Sequence, residues 1–417
     1  MQKTTRRDFL RTSAVIASPL LIPFGSIFGD DANAAPNNRT TIAHFGVGNQ
    51  GGGLARAFLG CKDAQCVAAA DCYKSRRDGM AAVFNGKSYG DFRELLDKED
   101  IDAVIIATPD HWHVPLGLYA ARKKKHVYIE KPLGLTIEQN LLFKKVAAEN
   151  KTCFQYGTQQ RSDRHCWLGC ALVRSGVIGE VKAIEVDAPD GHGGGSTTEA
   201  PIPPDIDFEM WTGPAPAAPY TVDRCKPDAT YMVYDYSIGY LGGWGAHPLD
   251  IMVWGSEADL SGPIVVEGTG QHNDNDLCNA VFNWDMKIKL GNVDLIFRPG
   301  GDRTRFIGEN GRWIEVRRNG NSASDPALLE AVPKEDALVW HSDGNHYNNF
   351  VQSVRNGKTP VSHLTDAVRS DNISQLCDIA VRTKSVVKWD PIKMELIAPT
   401  SEQKKMLSRP MRAPWTL

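Results

Sequence analysis

From residue 40 onward the apolar positions fall into two rhythms. Short apolar runs at Thr41–Phe45, Gln65–Ala70, Ile101–Ala107 and His126–Ile129 read as buried strands. Stretches with helical spacing lie among them: Leu54, Ala57 and Phe58, then Leu116, Ala120 and Ala121, then Ile137 to Asn150. Strands alternating with helices predict a parallel sheet with crossover helices, over residues 38 to about 158. Beyond Val181 the rhythm changes. Runs at Ala183–Val186, Ile264–Gly268, Asn279–Trp284, Lys287–Leu290 and Val293–Phe297 are separated by Gly, Pro and Asn rather than by helices. They predict a large, mostly antiparallel sheet in a second α/β domain, residues 159–417. Helical spacing returns at Tyr347–Arg355 and Asp366–Thr383, and the C-terminal segment is placed to pack back on the first domain. Gly191 to Ser196, with no helix start after it, reads as a mobile loop rather than a phosphate cradle.

The first 34 residues obey neither rhythm. Thr5-Arg6-Arg7-Asp8-Phe9-Leu10-Arg11, a mild apolar stretch to Phe28 and Ala32-Asn33-Ala34 make a twin-arginine export signal with its cleavage site. The expected partner is the twin-arginine export machinery, and the expected location is periplasmic or extracytoplasmic, reached already folded. No other segment has 18 uninterrupted apolar residues, so no stable membrane association is expected. The 417 residues are 42% apolar with 47 Lys+Arg against 50 Asp+Glu, which excludes a disordered chain and argues against a nucleic-acid partner. Nine scattered cysteines without a Cys-x-x-Cys pair read as core thiols, because a chain folded in a reducing compartment need not depend on disulfides. Cys166 and Cys170 beside His165 lack a distant ligand pair, and no metal site is expected.

The first strand runs into Gly46-Val47-Gly48-Asn49-Gln50-Gly51, a helical stretch follows, and Asp71 stands twenty residues beyond Gly51 at the end of the next strand. Glycines allow a tight turn and close approach of the backbone to a pyrophosphate, which sits at a helix N-terminus; the acidic residue meets the ribose. Gly46, Gly48, Asn49, Gln50, Gly51 and Asp71 are therefore candidate cofactor contacts. Asp71 favours NAD over NADP, while Lys74, Arg76 and Arg77 lie close enough to leave NADP open. Two further strand ends carry Thr108-Pro109-Asp110-His111-Trp112-His113 and Glu130-Lys131-Pro132, at the edge where such sheets bind ligands. Lys131 is placed to hydrogen-bond a substrate hydroxyl and to stabilise the alkoxide formed as hydride leaves; a surface Glu-Lys pair is the plainer reading.

Taken with Glu130-Lys131-Pro132-Leu133-Gly134, Gly242-Gly243-Trp244-Gly245-Ala246-His247-Pro248-Leu249-Asp250 and His346-Tyr347-x-Asn349-Phe350, these motifs resemble the Gfo/Idh/MocA family over nearly all of residues 40–400. The resemblance implies a Rossmann domain plus an α/β domain whose open sheet often makes oligomer contacts, hence a homo-oligomer, a dimer or tetramer. It implies Lys131 and His247 as catalytic residues and Thr108, Pro109, His113 and Glu130 beside the nicotinamide. Gln159, Arg161, Trp211 and Trp244 are implied as substrate contacts. Where many family dehydrogenases carry an aspartate four residues before the histidine, this chain has Gly243. Asp250, three residues after His247, lies on the same face if His247 opens a helix, where it would orient the imidazole. Tyr236 and Tyr240 are equally a phenolic acid/base or aromatic packing.

The resulting expectation is an exported NAD(P)-dependent oxidoreductase acting on a CH–OH group of a sugar, glycoside or polyol, with a tightly bound cofactor. One alternative is a redox-neutral NAD-dependent glycoside hydrolase. A second is a non-catalytic carbohydrate-binding protein on the same fold.

Overall fold

The computed structural model describes residues 38–340 and 343–417; the expected export signal lies outside the described residues. Six strands, β1 (Thr40–Phe45), β2 (Ala64–Ala70), β3 (Lys87–Tyr89), β4 (Ala103–Ile106), β5 (His126–Ile129) and β6 (Phe154–Tyr156), pair in the order β3-β2-β1-β4-β5-β6, all parallel. Helices α1 (Asn49–Leu59), α2 (Lys74–Phe84), α3 (Phe92–Lys98), α4 (His113–Arg122) and α5 (Ile137–Glu149) connect them. β4 (Ala-Val-Ile-Ile) is buried at every position, as a strand covered by helices on both faces must be. The strand order reverses between β1 and β4, which opens a crevice at their C-terminal ends.

The second sheet has nine strands: β7 (Ala183–Ala188), β8 (Ile264–Gln271), β9 (Asn283–Leu290), β10 (Val293–Pro299), β11 (Arg303–Ile307), β12 (Trp313–Val316), β13 (Ser322–Ala323), β14 (Val387–Asp390) and β15 (Glu395–Leu396). Their order is β13-β12-β11-β7-β10-β9-β8-β14-β15, antiparallel except for β7 beside β10. Helices α6 (Arg164–Arg174), α7 (Ala246–Gly255) and α9 (Leu364–Thr383) cover one face, and α8 (His346–Asn356) packs instead on α1. β9 shows why the sheet lies as it does. Trp284, Met286, Ile288 and Leu290 point into the core while Asp285, Lys287 and Lys289 point out. The chain pattern suggested two strands broken near Asp285; because that charge faces outward, the strand continues through it.

Gly191–Ser196 also differs from expectation. It is tied down through Gly191 N to Phe282 O (2.7 Å), Gly194 N to Asp276 Oδ2 (2.8 Å) and Ser196 N to Asp223 Oδ2 (2.8 Å). All nine cysteines are free thiols, and Cys166 and Cys170 of α6 are buried in the core of the second half, Cys170 Sγ 3.8 Å from Ile251 O of α7. Trp415 packs edge-on against Trp112 (4.8 Å between centroids), bringing the C-terminal segment onto the first sheet's layer.

At the junction of the two halves lies a buried ion cluster. Arg161, 1% exposed, donates from Nε and Nη2 to Asp250 of α7 and from Nη1 to Asp366 of α9, each at 2.7 Å. Arg369 joins Asp366 (2.9 Å) to Asp259 (2.7 Å). Removing one partner of a buried pair leaves uncompensated charge, at a cost of about 3–5 kcal/mol. Arg161→Met is expected to lower stability by about that amount, read as a reduced midpoint in chemical denaturation; an unchanged midpoint would show the cluster to be dispensable.

Candidate active site

The crevice at the switch point is a cleft of about 970 Å³ counted out to its open mouth. Its floor is the glycine turn. A Cβ at Gly46, where φ is +79°, would stand 2.6 Å from Ala107 O, and one at Gly51 would stand 2.0 Å from Gly46 O. Neither position admits a side chain, so the turn stays tight. Gly48, Asn49 and Gln50 line the cleft at the start of α1, whose first turn no side chain caps; this is an anion-receptive end. Gly51 does not line it but packs beneath. Asp71 lines the opposite wall, with Oδ2 accepting from Val47 N and Oδ1 from Tyr73 N, both at 2.8 Å; burial raises its carboxyl above the usual range. Of the three nearby cations, Arg76 alone lines the cleft, stacked 3.8 Å over Tyr73. Lys74 is held by Asp78, and Arg77 donates to the Asp71 carbonyl. Thr108, Pro109 and Trp211 complete the walls.

The cleft passes into a smaller hollow lined by Gln50, Thr108, Asp110, His113, Glu130, Lys131 and Tyr231. Here polar atoms lack protein partners: Thr108 Oγ1, Asp110 Oδ2 and Glu130 Oε2 are all buried and unpaired. Such orphans are costly unless something polar meets them. Together with the side-chain-free turn, they fit a dinucleotide held by Gly46, Gly48, Asn49, Gln50, Asp71, Thr108 and Glu130.

His113 lines this hollow with its ring nitrogens 2.6 Å from Pro132 O and 2.9 Å from Thr108 O. His111 turns away to Trp211 O (3.0 Å), so the two histidines do not converge on a metal. Gln159 holds Glu130 in place, donating to its Oε1 at 2.9 Å.

Lys131 Nζ lies 5.8 Å from the centre of the Tyr231 ring. From there an aromatic wall runs through Tyr240 and Trp244 to His247, with centroid separations of 6.3, 6.3 and 5.9 Å. His247 is buried, and no protein group meets its Nδ1. Burial, then the charges of Arg318, Lys131 and His346, hold its pKa well below the usual 6.5, so the imidazole is neutral.

Several expected roles fall elsewhere. Asp250 does not orient His247; it shares α7 with it, but both carboxylate oxygens are taken by Arg161. Arg161 is thereby buried in the ion cluster rather than open to a substrate, and Gln159 serves Glu130. Tyr236 is fully buried against His111 and Trp211 and accepts a hydrogen bond from Arg224 (3.1 Å), so it packs rather than titrates. Trp211 walls the cofactor cleft rather than the space beside His247. Conversely, Asp110 and Tyr231 enter the site unannounced. Asp110 lay in plain view within the strand-end motif; Tyr231 sits in an irregular segment with no pattern to reveal it.

The fold and cradle define a dinucleotide-binding α/β protein of the Rossmann type. Residues 40–158 match the oxidoreductase family's NAD-binding Rossmann fold, and residues 172–417 its C-terminal alpha/beta domain. The chain belongs to the Gfo/Idh/MocA oxidoreductase family. Among solved structures it is similar to aldose-aldose oxidoreductase from Caulobacter crescentus (17% identity, TM-score 0.61, covering 84% of this chain and 99% of that one). It is also similar to scyllo-inositol dehydrogenase from Lactobacillus casei with bound NAD(H) and scyllo-inositol (18%, TM-score 0.60, 84% and 98%). Among curated sequences it resembles inositol 2-dehydrogenase of Rhizobium meliloti, 29% identical over 40% of this chain and 48% of that protein. A glycosyl hydrolase family 109 protein of Shewanella sp. strain ANA-3 is 24% identical over 43% and 45%. The chain thus spans just under half the length of these curated relatives.

Two measurements check the site. Gly51→Ala is expected to weaken NAD binding by more than about tenfold, about 1.4 kcal/mol, in calorimetric titration, because its methyl displaces the Gly46 carbonyl. For Asp110, burial raises the carboxyl from 3.8 to about 6, with Ser237 and Lys131 opposing. The folded chain then binds this proton more tightly than the unfolded one, so stability falls as pH rises from about 4 to about 6. Asp110→Asn removes that dependence, and the denaturation midpoint of the variant relative to wild type should climb across this window; a constant difference would contradict the assignment.

Proposed function

We propose that this protein is an exported enzyme that oxidises a CH–OH group of a neutral sugar, glycoside or polyol with a tightly held NAD, NADP being the less favoured cofactor. The observation that carries the proposal is an aromatic wall beside the cofactor cleft with Lys131 at one end and, at the other, a neutral His247 whose Nδ1 has no protein partner. Bound NAD would supply the hydride acceptor. Lys131 donates a hydrogen bond to the reacting hydroxyl oxygen and stabilises the negative charge growing there. His247 accepts the hydroxyl proton at Nδ1, for which its neutral state is a precondition. Tyr231, Tyr240 and Trp244 offer ring faces to a sugar's apolar C–H surface.

The twin-arginine motif at residues 5–11 supports export. Outside the cytoplasm free NAD is scarce, which favours a cofactor reoxidised in place. In one route a second sugar takes the hydride back. In the other, the same glycoside is oxidised, eliminates its aglycone, adds water and is reduced again. Similarity to glycosyl hydrolase family 109 proteins favours carrying this second reading. The charged open face of the second sheet, with Lys287, Lys289 and Arg317 exposed, is the surface we assign to a homo-oligomer.

The test is isotopic. A substrate deuterated at the oxidised carbon should pass its deuterium to a separate acceptor sugar in the first route; retention in the released sugar would establish the second. Lys131→Ala is expected to lower turnover by about 10²–10⁴-fold. Unchanged turnover would sink both routes as drawn through Lys131, whereas sugar binding without any turnover in the wild type would leave a carbohydrate-binding protein.

A further inference from the structure

Next to His247 is a second polar cluster that neither the cofactor cradle nor the proton-transfer pair uses. Gln160, 3% exposed, comes from the turn after β6 and donates from Nε2 to Asp302 Oδ2 at 2.8 Å. Asp302 belongs to the tight connection between β10 and β11, and Arg318 follows β12. Arg318 Nη2 lies 3.0 Å from the same Oδ2 as an ion pair. Neither Nη2 nor Nε of Arg318 is aligned to donate a hydrogen bond, although both atoms are buried. Asp302 Oδ1, Gln160 Oε1 and His247 Nδ1 are likewise buried without partners. Thr304, two residues beyond Asp302, donates from Oγ1 to Pro248 O at 2.6 Å, which ties this connection to the residue following His247.

Neighbouring arginines have their donors more fully engaged. Arg303, on the same sheet, directs its three nitrogens to Asp187, Glu315 and Glu185, and Arg161 is shared between Asp250 and Asp366. Unmet donors and acceptors gather in the Gln160–Asp302–Arg318 cluster: Gln160 Oε1, Asp302 Oδ1, and Nε and Nη2 of Arg318. Buried polar groups are costly when unmet, so this cluster has the character of a site awaiting a polar ligand. Its chemistry selects that ligand. An anion would meet the Asp302 carboxylate and the Gln160 carbonyl oxygen, a cation would meet Arg318, and an apolar group would leave every orphan unmet. A neutral vicinal diol, offering donors and acceptors side by side, satisfies all of them.

We infer that Gln160, Asp302 and Arg318 form a subsite that binds adjacent hydroxyls of a neutral sugar at positions other than the carbon being oxidised. The inference rests on the proposed sugar chemistry of Lys131 and His247 for its substrate class. The subsite would set which hydroxyl reaches His247, because gripping the neighbouring diol fixes the ring's rotation.

The test uses the NAD-loaded protein titrated calorimetrically with glucose, myo-inositol, cellobiose and glucuronate, together with cofactor reduction on the same compounds. At least one neutral probe should bind, and Asp302→Asn and Arg318→Gln should each weaken it by about 10–100-fold, the range for hydrogen bonds to charged groups. KM should rise in these variants more than kcat falls, and a probe lacking one of the gripped hydroxyls should bind wild type and variants alike. Circular dichroism verifies folding, and Asp302→Asn preserves side-chain shape. Equal affinity in wild type and both variants, no binding of any neutral probe, or tighter binding of glucuronate than of glucose would overturn the subsite. Diol binding that depends on Asp302 and Arg318, with no cofactor reduction and no effect of Lys131→Ala, would overturn the proposed reaction while leaving the subsite standing.

Discussion

The arrangement of this site hangs on one buried guanidinium. Arg161 leaves the first sheet just after β6 and is held by Asp250 of α7 and Asp366 of α9. α7 carries His247. α9 carries Asp371, which accepts from Leu133 N (3.2 Å), from the Asn140 amide (2.7 Å) and from Gln375 (2.9 Å), so it grips the loop immediately after Lys131. Lys131 and His247, the two side chains to which the proposed reaction is assigned, come from different halves of the chain, and Asp366 and Asp371 of α9 hold both in register. A desolvated pair of this kind adds little net stability by itself. Its value is geometric, because any displacement of one partner exposes a charge to a medium that cannot solvate it.

Burial then sets the protonation of the whole centre. It lowers His247 and His111 (the latter to about 3) and raises Asp110 and Asp371 to about 6. His247 and His111 are thus neutral in the physiological range, and Lys131 is among the positive charges that hold His247 so. In a medium that screens poorly, that placement counts for more than the same groups would in water. The aromatic wall contributes to both ends of the argument, excluding water and offering ring faces.

What could be read along the chain was read where the determinants are contiguous. The glycine turn, the helix after it and Asp71 lie within one strand–helix–strand unit, and the structure assembles them around one cleft. Glu130 and Lys131 follow directly from a strand end, and His247 from its motif. Reading failed where a residue had a choice of partners. Asp250 is one helical turn from His247 yet pairs with Arg161, and Gln159 and Gln160, adjacent in sequence, serve different groups, Glu130 and Asp302. Tyr236 and Tyr240 looked equivalent, but one is sealed against His111 while the other borders Trp244. No local pattern distinguishes such cases, since each is decided by a side chain on a distant element.

The sequence by itself determined the class of fold, the dinucleotide cradle and the position of the lysine, because periodicity, glycine geometry and strand-end placement are short-range properties. Only the tertiary structure decided the hydrogen-bond partners: that Arg161 and Asp250 belong to a structural ion cluster, that Asp110 and Tyr231 line the hollow around Lys131, and that Asp302 and Arg318 arrive beside His247 from two connections of the second sheet. The physical reason is desolvation. Once buried, a polar group must be met by whatever the fold brings to it, and that partner is settled by packing across the chain rather than by its neighbours along it.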